Sequence, residues 1–506
     1  MLSQSPLEIP EVTTLVASYL TGGDLASCVR VSKNWRDCFL PHRWRDVTRS
    51  NKWSVDSYKH FGPSQEALHN HRHLVRKLSI NGRFREDETY THPNLRHLRI
   101  DFSRHSDVYY HNDRGAFDWD LSVKSPLLES LSLSYIEIEP RSCQGISKLP
   151  HLRSLKLWKV KIKDVFVPGF WEACKNLESL SMDNVRFEGI FVPIPTDTVF
   201  AQLRTLSMKD IRELPVSAQL AIAFHSPVLR SFEWEAISIE VRILIKHPVQ
   251  EDLRPQLRSL SIPDEPLDAE WASTIKTIGD CLGNLTYLHL QSGTFGSKAF
   301  KALGSHCSSL VDLDLSYATS PAIKDVLCSC PMLEKLRVTD VSVKHIIEGG
   351  PWVCQQLREL SISFRVKESE RNLQSLVFER LSTLVRLTKL DMNNVDEESS
   401  IGVLEFRSHY GLGQLASLQE LRAIGFYWGD DFDKRQQLRR TEVEWMIHNW
   451  KNLKGIYGLL NDDDEVHDEY MDLLSHHGIL VGEDMVLDSR LASWLGFECN
   501  KDLDPL

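Results

Sequence analysis

One arrangement of apolar and polar positions, L-x-x-L-x-(apolar), returns about fifteen times between Val75 and Gly458. It reads VRKLSI from Val75, LRHLRI from Leu95, LESLSL from Leu128, LRSLKL from Leu152 and LESLSM from Leu177. It continues through LRSLSI from Leu257, LVDLDL from Leu310 and LTKLDM from Leu387 to the weaker LQELRA from Leu418 and LKGIYG from Leu453. Central copies lie about 23 to 28 residues apart. The last three positions alternate, as Leu155, Lys156 and Leu157 do, which is the period-two signature of a half-buried strand. Between the copies, Ser297 to Ser305 sets Phe300 and Leu303 three apart, and Ala269 to Leu282 sets Ile275, Ile278 and Leu282 on one face. Both patterns predict amphipathic helices. A unit of this size buries about five apolar side chains worth ~1.5–3 kcal/mol each, whereas ordering its backbone costs ~1–2 kcal/mol per residue. No unit stands alone, so stacking must supply the stability, with parallel strands on one side and helices on the other.

The pattern resembles the leucine-rich-repeat superfamily over roughly Leu74 to Leu460. The resemblance implies an α/β solenoid with a curved parallel sheet inside and helices outside. One departure stands out. Where that family usually carries Asn or Cys, eight positions after the first Leu, this chain has Ile136, Val160, Val185, Ile211, Ile237, Val341 and Val395. These residues begin a further alternation (Val160 with Ile162, Val185 with Phe187, Ile237 with Ile239, Val341 with Val343), so the amide ladder gives way to apolar contact and the turn backbone needs other partners. The cysteine-containing branch of the family is echoed by Cys174, Cys307 and Cys330 before their repeats.

Ahead of the repeats, Pro10 is placed to open a helix, and Val12, Leu15, Val16, Tyr19 and Leu20 fall at helical spacing. Thr21-Gly22-Gly23 is read as its end, Asp24 as the cap of a second helix, Ser32 as the cap of a third, and Pro41 as the stop. Three such helices bury too little surface to stand alone, so a partner or neighbouring domain must cover them. Residues 5 to 47 resemble the F-box motif: Pro6-Leu7-Glu8-Ile9 matches its opening, Tyr19-Leu20 its middle, Asp24-Leu25 and Val31-Ser32 its second half, Trp35-Arg36 its close, and Trp44 its continuation. That resemblance implies docking on the Skp-family adaptor of a cullin-RING ubiquitin ligase, with Pro6, Ile9, Leu20, Leu25, Val31 and Trp35 as interface or packing residues. The expected organisation is an F-box domain over 1–48, a linker and cap over 49–73, repeats over 74–460 and a C-terminal cap over 461–506.

In a strand reading x-L-x-L-x, the leucines face the core and the x positions face out, so the readable surface follows from sequence. It offers His97, Arg99, Lys156 and Trp158 early, serines such as Ser179, Ser181, Ser259 and Ser261 in the middle, and Tyr287, His289, Asp312, Asp314, Lys335 and Arg337 later. Exposed aromatics beside charges, notably Trp158 and Tyr287, are the usual anchors of a protein interface. Asp462-Asp463-Asp464-Glu465 lacks the glycine turn and terminal Glu of a calcium loop and is read as a loop or helix start. Val466 to Leu480 is read as a helix, with Trp494, Leu495 and Phe497 as apolar cover, and Gly429-Asp430-Asp431 as a loop.

Composition narrows the function. The 506 residues are 42% hydrophobic and 25% charged, as in a well-packed protein, with a formal charge of -11 and a pI near 6.0. That balance argues against nucleic acid as the main partner. Ten cysteines without paired zinc spacing point to reduced, buried thiols and no metal. No run of some eighteen apolar residues and no basic leader are present, so no membrane is expected and the cytoplasm or nucleus is the expected place. No phosphate-cradling loop, nucleophile elbow or zincin motif occurs, and His69, His71 and His73 lack a matched nucleophile, so intrinsic catalysis and cofactors are not expected. Together these features lead to a substrate-recognition subunit of an SCF-type ligase, acting by proximity. The alternative is a leucine-rich scaffold, or a regulator of another enzyme, with no ligase link.

Overall fold

The computed structural model describes residues 9–54, 57–61, 63–81, 91–102, 121–163, 167–188, 199–234, 257–262, 272, 284–290, 295–315, 318–392, 404–426, 438–458, 460–461 and 463–482. The chain forms two compact units, 1–233 with 249–255 and 234–248 with 256–506.

In the first unit the repeat phrases become strands: β3 Lys77–Asn81, β4 His97–Asp101, β5 Ser130–Ser134, β7 Ser154–Trp158, β9 Ser179–Asp183 and β11 Thr205–Lys209. Each pairs in parallel with the next, leucine against leucine, as in Leu98↔Leu131↔Leu155↔Leu180↔Leu206. The buried leucines of each strand point inward and the intervening residues outward. Helices Pro140–Ser147, Val167–Cys174 and Val216–Phe224 connect successive strands. Phe170, Trp171, Phe187 and Phe200 pack as an aromatic cluster there, with Trp171 stacked on Phe187 at 5.8 Å.

The apolar positions that replace the amide ladder build a second, three-stranded parallel sheet of β6 Glu137–Ile138, β8 Lys161–Lys163 and β10 Arg186–Glu188. Val160, Ile162, Val185 and Phe187 are all buried. Tyr135, Lys159, Asn184 and Asp210 turn the chain into it with φ of 56°, 51°, 52° and 46°. The turn N–H groups find main-chain partners in the next repeat: Tyr135 donates to Trp158, Lys159 to Asp183 and Asn184 to Lys209, at 2.9–3.0 Å. Ile237 and Val395 lie outside the described residues.

The sheet starts before position 74. Strand β1, Asp46–Ser54, pairs in parallel with β3 and antiparallel with β2, Ser57–Phe61, so the stretch expected as a linker and cap carries two strands and a helix, Gln65–Asn70. Its start lacks the leucine phrase, and Val47 is buried opposite Leu78.

The second unit repeats the plan in β13 Ser259–Ile262, β14 Tyr287–Leu290, β15 Asp312–Leu315, β16 Lys335–Ser342, β17 Glu359–Arg365, β18 Lys389–Asp391, β19 Ala423–Gly425 and β20 Gly455–Tyr457, all parallel in sequence order. Helix Ser297–Leu303 buries Phe300 and Leu303 as the spacing predicts, while the stretch Ala269 to Leu282 lies outside the described residues apart from Ala272. The sheet runs past position 460 into β21, Leu480–Gly482. Helix Asp464–His476 precedes it, opened by Asp463, whose side chain accepts from the N–H groups of Glu465 and Val466. Asp462, Gly429 to Asp431, Trp494, Leu495 and Phe497 lie outside the described residues.

Candidate protein-binding surfaces

At the N-terminus three helices, α1 Pro10–Ser18, α2 Gly22–Val31 and α3 Lys33–Arg45, close around Ala17, Leu25 and Phe39, with Val16, Leu20, Cys28, Val29, Trp35 and Cys38 packed on them. The second helix starts three residues earlier than expected. Thr21 is its cap and Asp24 the third residue, because the two side chains serve each other's backbone: Asp24 N–H donates to Thr21 Oγ1 at 3.3 Å, and Thr21 N–H donates to Asp24 Oδ2 at 2.9 Å. The hydroxyl of Thr21 also donates to Asp24, and these bonds hold the Asp24 carboxyl below its ordinary value. Ser32 caps the third helix through Trp35 N–H at 3.1 Å. Pro41 does not stop it: the helix runs on to Arg45, where the exposed ring removes one donor and the turn survives. Trp44 then lies against His71 at 4.5 Å, and Arg45 C=O accepts from Arg76 N–H, joining the helices to the sheet.

Of the residues singled out by the motif, Leu25 belongs to the core at 7% exposure, and Leu20 and Trp35 are half-buried against it. Ile9 and Val31 are exposed at 41% and 63%, and Pro6 lies outside the described residues. Two apolar side chains outside the expected interface set are more exposed than most, Leu15 at 60% and Tyr19, which belongs to the motif's middle, at 82%. Helical spacing set both in line with Val16 and Leu20, which pack on the small core, whereas Leu15 and Tyr19 stay exposed.

On the first unit's strand face the side chains fall into rows. His97, Ser130, Ser154, Ser179 and Thr205 form one; Arg99, Ser132, Lys156, Ser181 and Ser207 the next; Asp101, Ser134, Trp158, Asp183 and Lys209 the third. Arg99 thus stands two strands from Lys156, and it reaches Asp101 at 3.7 Å. Trp158 is half-buried, edge-on to Tyr135 at 4.9 Å, with Lys159 Nζ 4.9 Å from its ring centre. Burial pushes the Asp183 carboxyl up against the pull of Lys209.

The second unit brings its six expected residues into two adjoining rows, Tyr287–Asp312–Lys335–Glu359–Lys389 and His289–Asp314–Arg337–Ser361–Asp391. Glu359, Ser361, Lys389 and Asp391 complete rows that sequence analysis left unfinished. Tyr287 Oη lies 3.1 Å from His289 Nδ1, and the buried Asp314 takes both His289 Nε2 and Arg337 Nη1 at 3.2 Å. Burial pushes the Asp312 carboxyl up to about 6, with Lys335 pulling the other way. Burial works against the charge on Lys335, but its bond to Glu359 at 2.8 Å and the nearby carboxylates of Glu359, Asp312 and Glu334 together raise its pKa. Burial lowers that of Lys389. These charges are engaged with one another along the rows.

Burial raises the thiols of Cys143 and Cys354, to about 11 and about 12. No helix among the described residues is long and apolar enough to cross a membrane.

No protein-family model and no curated protein matches the chain. Among solved structures it is similar to an internalin from Listeria monocytogenes, at 13% identity over 84% of this chain and 90% of that one, with a TM-score of 0.38. It is also similar to a leucine-rich-repeat protein of Leptospira interrogans, at 16% identity over 83% and 98%, with a TM-score of 0.40. The TLR13–ssRNA13 complex matches at 14% over 88% and 65%, again with a TM-score of 0.40.

Proposed function

We propose that this chain is the substrate-recognition subunit of an SCF-type ubiquitin ligase: the N-terminal helices dock a Skp-family adaptor, and the strand faces hold a protein target. The observation that carries the reading is the exposed apolar set Ile9, Leu15, Tyr19 and Val31 on a three-helix segment whose buried apolar residues, among those described, are Ala17, Leu25 and Phe39. A segment that small does not leave such residues in water without cost. The mechanism is proximity, which raises the target's effective concentration near the ligase without chemistry on this chain.

The test is capture of a purified Skp-family adaptor by the full chain, beside the double substitution Leu15→Glu and Tyr19→Glu. Both positions are exposed, so helix content is retained, and capture should fall at least tenfold, about 1.4 kcal/mol or more. Leu20→Ala and Trp35→Ala are less clean, since both also remove packing from the small core. Equal capture by the double variant, or none by either protein, counts against the ligase reading.

A second reading, a scaffold or regulator of another enzyme whose helices only cap the sheet, draws on the Trp44–His71 contact and on β1. It leaves Leu15 and Tyr19 without a role.

A further inference from the structure

The strand-face polar groups are not all in the same state. In the second unit they bond one another, and near the end of the first unit Glu233 is held by Ser207 Oγ at 2.8 Å and Lys209 Nζ at 2.9 Å, a hydroxyl and an ammonium on one carboxylate. Three adjacent strands, β5, β7 and β9, carry the same donors without the carboxylate. Ser130, Ser154 and Ser179 stand in one row, and Ser132, Lys156 and Ser181 in the next. Among the described residues none of these six side chains hydrogen-bonds or pairs with another protein group. The serines are half-buried, Lys156 is exposed, and no carboxylate stands within the block. Three strands span about 10 Å, room for one or two side chains of a ligand. Trp158, on the same face of β7, borders the block with an aromatic wall.

We propose that Ser132, Lys156 and Ser181 receive a carboxylate side chain from an acidic peptide segment of the target, with the same kinds of donor, hydroxyl and ammonium, that hold Glu233. Hydroxyl and ammonium donors converging on one carboxylate make charge-assisted bonds, stronger than those between neutral groups. Trp158 takes the apolar flank of the same segment. The inference rests on the reading of the strand face as the target surface and gives that surface its partner chemistry.

The experiment is fluorescence anisotropy of the full chain with a fluorescein-labelled peptide of roughly ten residues alternating Glu and Gly, beside its Gln counterpart. The Glu peptide should bind saturably, the Gln peptide should not, and binding should weaken between about 50 and about 300 mM salt. Lys156→Glu should weaken it by about tenfold or more, and Ser132→Ala with Ser181→Ala by about threefold, while Ser207→Ala leaves it unchanged. All four positions are on the surface, and unchanged circular dichroism confirms that the variants fold. Equal binding of the two peptides, no loss on Lys156→Glu, or displacement by a DNA oligonucleotide of equal charge more readily than by unlabelled peptide overturns the proposal. The Leu15→Glu, Tyr19→Glu protein should bind the peptide normally, so failure here and failure of adaptor docking are separate results.

Discussion

Tyr135, Lys159, Asn184 and Asp210 hold left-handed backbone, φ between 46° and 56°, where L-residues pay for the closeness of Cβ to a carbonyl. The strain recurs because every one of these turns hands its N–H to a carbonyl of the next repeat or sits beside one that does. A β-branched side chain is poorly tolerated there, so Lys159→Val should cost about 1 to 2 kcal/mol in a urea titration. The neighbouring Val160 is fully buried, and the backbone donors around it are already taken, Lys161 N–H by Ile136 C=O and Arg186 N–H by Val160 C=O. Val160→Asn would therefore restore the residue type usual in leucine-rich repeats yet bury an amide with no donor to accept, lowering stability by about 1 to 3 kcal/mol in the same titration. The apolar identity of Val160 and Val185 was readable in the sequence. Their partners were not, because main-chain acceptors leave no mark on side-chain type.

At the scale of single elements, the N-terminal helices show how a local exchange of bonds sets a boundary. The reciprocal Thr21–Asp24 pair starts α2 at Gly22, and Thr21→Ala should cost about 1 kcal/mol, seen as faster hydrogen exchange in Leu25 and Cys28 amides. The leucine strands were legible because period-two burial writes itself into consecutive residues. The exposure of Leu15 and Tyr19 was not, because it depends on how the three helices pack around Ala17, Leu25 and Phe39. On the strand face, Asp312 gives a pH signature. Burial raises its pKa to about 6, so the folded protein binds that proton more tightly than the unfolded chain. The contribution is fully present below the ordinary carboxylate value near about 4 and is lost as pH rises through about 6. Asp312→Asn removes the titration, so its thermal midpoint relative to the unmodified chain should be higher at neutral pH than at acid pH. A difference that does not change with pH would show that Lys335 and solvent compensate the charge.

Across the repeats, stability is shared between stacked neighbours. Leu131 is fully buried between Leu98 and Leu155, and Leu131→Ala should cost about 2 to 5 kcal/mol. Its effect should be local: amide exchange should quicken in His97–Asp101 and Ser154–Trp158 and stay unchanged in Lys335–Ser342 and Glu359–Arg365. Repeat number and strand order were legible from the recurring phrase. The strands at 46–61 and 480–482 were not, since neither carries the leucine phrase and both are recruited by an exposed sheet edge. The turn ladder of the first unit also bears on how such a chain changes length over generations. Because carbonyls and N–H groups make its joints, copying or excising one repeat by unequal recombination places equivalent groups against each other at the new junction. Growth by tandem duplication then needs no matched pair of side-chain changes across the seam.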